Sequence, residues 1–326
     1  KIIFSKRIAK RCPFFIFVAH KPLAMEYHVP VLRDECIEYL ITDPSGVYLD
    51  LTFGGGGHSR ALLAKLSPQG RLLGFDQDAE AAANAVALQA DERFTLVAAN
   101  FRYLVRYLKM YKVEKVHGIL ADLGISSHQI DTPERGFSIR FEGPLDMRMN
   151  QQSSFSAAEL LQNYSEQELH RILGMYGEVK NARTVAAALV KARIKQPLST
   201  VQELKQILTP FAPRGAEHKY MAQVFQALRI EVNQEMQALE ELLQQCADLL
   251  LPGGRLVVLS YHSLEDRLVK NFMQKGKFYG EVEKDLYGHD LKPLHMLTKK
   301  PLIPSEAEIA QNSRARSAKL RVAARC

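Results

Sequence analysis

Five short aliphatic runs alternate with helical stretches along this chain: VYLDL at 47–51, RLLGF at 71–75, FTLVAA at 94–99, VHGILA at 116–121 and RLVVLS at 255–260. Each has the length of a buried strand and none contains proline, so the pattern predicts an α/β fold in which helices cover a parallel sheet. More than 100 residues separate the fourth run from the fifth, far more than one crossover needs. Three capping boxes fall in that interval, Ser156 with Glu159, Ser165 with Glu168 and Thr200 with Glu203. They predict an inserted helical domain at 133–215, leaving 25–132 and 216–326 as the core. Pro210, Pro213 and Gly215 punctuate its exit. Beyond it, Met221, Val224, Phe225, Leu228, Val232, Met236, Leu239, Leu243, Cys246 and Leu250 recur three or four apart, which predicts one long amphipathic helix stopped by Pro252-Gly253-Gly254.

The net charge of +7 invites a nucleic-acid reading, but the excess of cations over acids sits at the two ends. Six of them and no acid lie in residues 1–24, and five and no acid in 309–326, which leaves residues 25–308 at −4. Any RNA contact must then come from local patches. The apolar run from Pro13 to Ala19 is too short to cross a bilayer, where about 20 residues are needed. It also lacks a small-residue cleavage site. Residues 1–24 are read as an extra tail preceding an initiator at Met25. Cys12, Cys36, Cys246 and Cys326 form no C-x-x-C pair, so no disulfide framework, zinc site or other metal site is expected, and reducing cytoplasm suits the chain.

LDLTFGGGGHS follows the first strand directly. Four glycines free the turn of side chains, and the helix beginning near His58 aims its amide groups at whatever sits there. Asp76 in GFDQD ends the second strand about 20 residues later, where a carboxylate can accept bonds from ribose hydroxyls or simply cap a helix. Nicotinamide and adenosylmethionine enzymes both use this device. LLPGGRLVVLS resembles the class I methyltransferase fold, in which a Pro-Gly-Gly turn precedes the fifth strand. Asp50 and Asp122, ending strands at the ligand face of the sheet, suit a cationic sulfonium.

DLGISSHQIDTPERGFSIRFEGPLDMRMN at 122–150 makes the resemblance specific. The chain resembles the ribosomal small-subunit RNA cytosine-N4 methyltransferases, the RsmH or MraW family. HVPVL near residue 28, TFGGGGHS, FQALRIEVN at 225–233, LSYHSLEDR at 259–267 and NSRARSAKLR at 312–321 agree with it, so the likeness spans essentially everything from His28 onward. It implies a class I, Rossmann-like S-adenosylmethionine methyltransferase sheet with an inserted helical domain for substrate recognition. It implies that Gly56, Gly57, His58, Asp76, Phe101, Asp122 and Gln129 line the S-adenosylmethionine site. Without the family, Phe101 would be read as core and Gln129 as a solvated loop residue. The implied substrate is a decoding-centre cytidine of 16S ribosomal RNA within the assembled small subunit; a homodimer is left open. Two departures stand out: HKYMAQVFQALR replaces the family's common HPATRTFQALR, and His128 follows Ser126-Ser127 where a proline is usual.

Cytosine N4 is a poor nucleophile because its lone pair is delocalised, so catalysis must orient and localise that pair. Asp122 is the candidate acceptor of the amino hydrogens, assisted by Ser126 and Ser127. Tyr261 is a candidate to stack on the extruded base. Ser263 with Asp266 reads as a helix cap, and His262 as loop or base. Arg135, Arg140, Arg148 and the basic C-terminal stretch are candidate phosphate contacts or a solvated face. The competing readings are a DNA amino-methyltransferase, whose usual Asp/Asn/Ser-Pro-Pro-aromatic motif is here Asp122-Leu123-Gly124-Ile125, a non-catalytic RNA-binding assembly factor, and a nicotinamide dehydrogenase.

Overall fold

The structure, a computed structural model, describes residues 29–326. The expectations for the tail, for Met25 and for His28 lie outside the described residues. All five predicted strands form: β1 Val47–Asp50, β2 Arg71–Asp76, β3 Phe94–Ala98, β4 Val116–Asp122 and β5 Leu250–Ser260. Two more follow, β6 Leu294–Met296 and β7 Lys319–Arg325, giving a seven-stranded sheet in the order β3-β2-β1-β4-β5-β7-β6. Strands β1 to β5 pair in parallel, while β7 runs antiparallel to both β5 and β6. The order reverses between β1 and β4, so Asp50 and Asp122 end neighbouring strands at the switch point where open α/β sheets bind ligands.

Both faces of the sheet are covered. Helices α1 Arg33–Leu40, α2 Gly57–Leu63 and α3 Ala81–Ala85 pack on one face through Cys36, Leu40, Leu62 and Ala85. On the other face α4 Leu104–Met110, α11 Glu235–Leu249 and α12 Ser263–Lys275 bury Leu108, Leu242, Leu243, Leu268 and Phe272. A separate apolar cluster runs through α6 Ala157–Asn163, α7 Glu166–Met175, α8 Ala182–Lys195, α9 Val201–Leu208 and α10 Glu217–Asn233. All three anticipated capping boxes close at the starts of α6, α7 and α9. Such caps are worth about 1 kcal/mol each. Short α5 Ser127–Asp131 leads from β4 towards this cluster, and α13 Glu306–Gln311 precedes β7.

The long helix expected over 221–250 is two helices. Gln234 adopts a left-handed conformation, φ 51°, between α10 and α11. Asn233 fixes the break, accepting from Met149 N at 2.7 Å and donating to Met147 O at 2.7 Å. Met221, Val224, Phe225, Leu228 and Val232 therefore belong to the helical cluster, whereas Leu239, Leu243 and Cys246 pack on the sheet. The apolar spacing runs unbroken through the kink, which is why periodicity does not reveal it. Pro252-Gly253-Gly254 falls where the β4–β5 register shifts.

Candidate functional site

A cleft of about 640 Å³ opens at the carboxyl ends of β1, β2 and β4. Its walls include Gly54, Gly55, Gly57, His58, Asp76, Phe101, the segment 122–131, Tyr261 and Arg314. The glycine turn shapes one end. Gly56 sits at φ 71° as the residue before α2, and a Cβ there would lie 2.7 Å from the Phe53 ring. A Cβ on Gly57 would meet Pro30 at 2.3 Å. Gly56 and Gly57 thus permit the turn and its packing, while Gly54 presents open space to the cleft, with only Thr52 O near its missing Cβ at 3.9 Å.

Asp76 closes the turn from below. Its carboxylate accepts from Gly54 N and Asp78 N, both at 2.8 Å. Burial raises its pKa to about 6 against the pull of those two amides. Lone pairs remain for hydroxyl donors. Phe101 stands across the cleft, half-buried against the core cluster of the sheet. Asp50 is fully buried and takes Ser59 Oγ at 2.6 Å; burial raises its pKa. Burial lowers that of His58, favouring neutral imidazole. His58 Nε2 lies 3.3 Å from the Val31 carbonyl, which can only accept, so Nδ1 is left bare towards Asp122 Oδ2 at 3.7 Å.

Asp122 is the chemical centre of the cleft. Tyr261 Oη donates to Asp122 Oδ1 at 2.8 Å, and Asp122 N donates to Thr52 Oγ1 at 2.7 Å. Burial raises the Asp122 pKa to about 7, opposed by the Tyr261 bond and reinforced by Glu265. Burial and the neighbouring carboxylate push the Tyr261 phenol far up, so it remains a donor. Ser126 caps α5: its hydroxyl accepts from Gln129 N at 3.1 Å, and Ser126 N donates to Gln129 Oε1 at 3.0 Å. Gln129 Nε2 reaches Asp78 Oδ2 at 2.7 Å, so its amide braces the wall.

Beneath Tyr261, Glu265 accepts from Tyr261 N at 2.9 Å and from His262 N at 3.3 Å. Here the cap differs from the expected Ser263–Asp266 pair: His262 and Glu265 form the capping box of α12, and Asp266 instead binds Arg321 at 2.6 Å and Lys319 at 3.1 Å. Glu235, His262 and Glu265 bring their ligand atoms within 4.8 Å of one another. Both Glu235 oxygens are held by Arg229, at 2.8 Å each, which makes the trio part of an ion-paired cluster.

The arginine candidates separate sharply. Arg135 is 1% exposed and ion-paired to Asp78 at 2.8 Å and Glu80 at 2.9 Å, so it cannot reach a phosphate. Arg148 is paired with Asp146. Much of the basic C-terminal stretch is the strand β7, with Arg321 buried against Asp266. Arg140 stays exposed, with Asp131 at 3.2 Å, and Arg314 lines the cleft beside the same Asp131 at 2.5 Å. Asp78, Arg229 and Glu265 were not singled out from sequence; the signal was the second acid of GFDQD, whose buried partners lie far along the chain.

A sheet of this order, with an antiparallel strand inserted between β5 and the edge strand β6 and a glycine turn after β1 facing an acid at the end of β2, defines a class I methyltransferase. The chain belongs to the MraW methylase family, whose match covers residues 25–326. It is 58% identical over 299 residues to the ribosomal RNA small subunit methyltransferase H of Cytophaga hutchinsonii, covering 92% of this chain and 99% of that protein. It is 52% identical to the protein of the same name from Amoebophilus asiaticus, covering 92% of this chain and 96% of the other. Among solved structures, an rRNA methylase from Streptococcus thermophilus overlays with a TM-score of 0.38 at 12% identity, over 92% of this chain and 98% of that one.

Proposed function

We propose that this methyltransferase moves the methyl group of S-adenosylmethionine to the exocyclic N4 of a decoding-centre cytidine in small-subunit ribosomal RNA, acting in the cytoplasm on the assembled subunit. The observation that carries the chemistry is the Tyr261–Asp122 hydrogen bond at the mouth of β4, in the same cleft as the Asp76 cradle. The cleft suits the donor on three counts. Gly54 leaves room for close approach, Asp76 keeps lone pairs for ribose hydroxyls, and two carboxylates in the wall, Asp76 and Asp122, favour a cation.

When bound, the donor supplies an electrophilic methyl on a positively charged sulfur. The residues of this chain do the remainder. Asp76 and the glycine turn hold the nucleoside end, and Phe101 offers a face for adenine. Asp122, oriented by Tyr261, accepts an N4 hydrogen, which returns electron density to the nitrogen and takes up the proton released as the N–C bond forms and the S–C bond breaks. Ser126 has one lone pair taken by Gln129 N, so its hydroxyl proton is free to steer a cytosine acceptor. The helical lobe at 133–215, together with α10, recognises RNA, with Arg140 on the lobe and Arg314 on the core, at the cleft wall, as phosphate contacts.

The names of the relatives and the intact cleft favour this reading over a DNA enzyme or a non-catalytic factor. Incubating the protein with labelled S-adenosylmethionine and unmodified small subunits, then digesting the RNA to nucleosides for mass spectrometry, is expected to place the label in N4-methylcytidine. Label in a different nucleoside, or none, overturns it.

A further inference from the structure

The bulkiest fully buried side chain in the described part of the molecule is an arginine, Arg135. Its guanidinium meets four acceptors: Glu80 at 2.9 Å, Asp78 at 2.8 Å, and the carbonyls of Arg148 and Met149 at 2.9 and 3.2 Å. It does not line the cleft. Asp78 is the hub of what it touches. Its backbone N donates to Asp76, and its carboxylate oxygen Oδ2 takes both Arg135 and Gln129. Gln129 in turn receives Ser126 N. One continuous set of buried and part-buried hydrogen bonds therefore runs from the acid that ends β2, through Asp78 and Gln129, to Ser126, four residues beyond Asp122, and through Arg135 to the 147–149 segment that Asn233 pins to α10.

We propose that Arg135 is a positioning residue: seated on Asp78, it couples occupancy of the Asp76 cradle to the ordering of the 124–136 segment and of the helical lobe behind it. The proposal rests on the reading of Asp76 as the donor's ribose acceptor. Its physical basis is that a buried charge is stable only while its partners hold their places. Any shift of the 76–78 turn on binding must be accommodated by the Arg135 and Gln129 contacts together. A lysine keeps the charge but cannot span four acceptors with a planar fork.

The test combines amide hydrogen exchange with kinetics on the full chain. In the wild type, S-adenosylhomocysteine is expected to slow exchange at 53–58 and 76–80 and also across 124–136 and 147–149. In Arg135→Lys the protection at 53–58 should persist while that at 124–136 is lost. The single-turnover rate per folded molecule should then fall on the order of 10–100-fold, with the KM for the donor raised, because misplacement by about an ångström has effects of that size. Protection confined to 53–58 and 76–78 in the wild type overturns the coupling, whether or not the variant folds. A variant with lowered Tm but unchanged rate, KM and exchange pattern also overturns it, since Arg135 is then structural only. Absence of any binding to the wild type is a different result: it removes the donor-site reading itself.

Discussion

Asp122 carries its proton to unusually high pH because burial disfavours the anion, and the bond from Tyr261 only partly compensates. If the anion is the acceptor, kcat/KM, which reports the free enzyme, rises with pH and levels off above about 7. The positive sulfonium lowers the Asp122 pKa in the donor complex, so the midpoint should lie lower with S-adenosylmethionine bound than with the neutral thioether product. Tyr261→Phe removes a bond that stabilises the anion and is expected to move the midpoint to higher pH; an unmoved profile would separate Tyr261 from Asp122. Asp122→Asn should cut the chemical step by roughly 10²–10⁴-fold while changing donor affinity much less, measured by rapid quench and calorimetry. Asp76→Ala should do the reverse, weakening donor binding about 10–100-fold through loss of charge-assisted bonds worth ~1.5–3 kcal/mol. Both carboxyls also make the unliganded fold pH-sensitive. Their folded pKa values exceed that of a free aspartate, so the folded state binds more protons, and stability falls as pH rises from about 4 through about 6 for Asp76 and about 7 for Asp122. Chemical denaturation at fixed pH values checks the sign.

At the level of elements, the parallel strands and the helix starts of the insert were legible because each rests on a local rule: aliphatic runs of strand length, and a Ser or Thr followed three residues on by Glu. The rest depended on partners distant in the chain. KLRVAAR reads as a basic tail until Asp266 neutralises Lys319 and Arg321 and the strand slots between β5 and β6. Arg135 reads as a phosphate contact until Asp78 and Glu80 surround it. The glycine turn, Asp76 and Asp122 were visible as motifs. The bracing of Gln129 on Asp78 and the Glu265 support under Tyr261 were not, since neither leaves a spacing signature. The break at Gln234 offers an independent check on this level. A left-handed non-glycine residue costs about 1 kcal/mol, so Gln234→Gly is expected to leave the fold intact and raise stability by up to about 1 kcal/mol in urea titration, whereas a clear loss would mean that its side chain matters more than its backbone. Its bond from Arg102 at 2.8 Å is exposed and should contribute little.

The whole molecule joins a sheet with two covered faces to a helical cluster, and the cleft lies where the segment between them leaves β4. The charge distribution gives the sheet–lobe assembly little global pull on RNA, so binding should depend on a few cations around the cleft mouth. Arg140→Gln is therefore expected to reduce the slope of log affinity against log salt by roughly 0.7–0.9, one phosphate's worth, while Arg148→Gln, already neutralised by Asp146, leaves the slope unchanged. Equal effects of the two would place the RNA elsewhere. None of the helices among the described residues is long and apolar enough to cross a membrane. The most direct measurement is a crystal structure of the protein with S-adenosylhomocysteine and cytidine. It should show the cofactor's ribose hydroxyls on Asp76, its sulfur pointing towards Asp122, and cytidine N4 within hydrogen-bonding distance of the Asp122 carboxylate. A cofactor seated away from Asp76, or a cytosine whose ring carbon rather than N4 faces the sulfur, would contradict it.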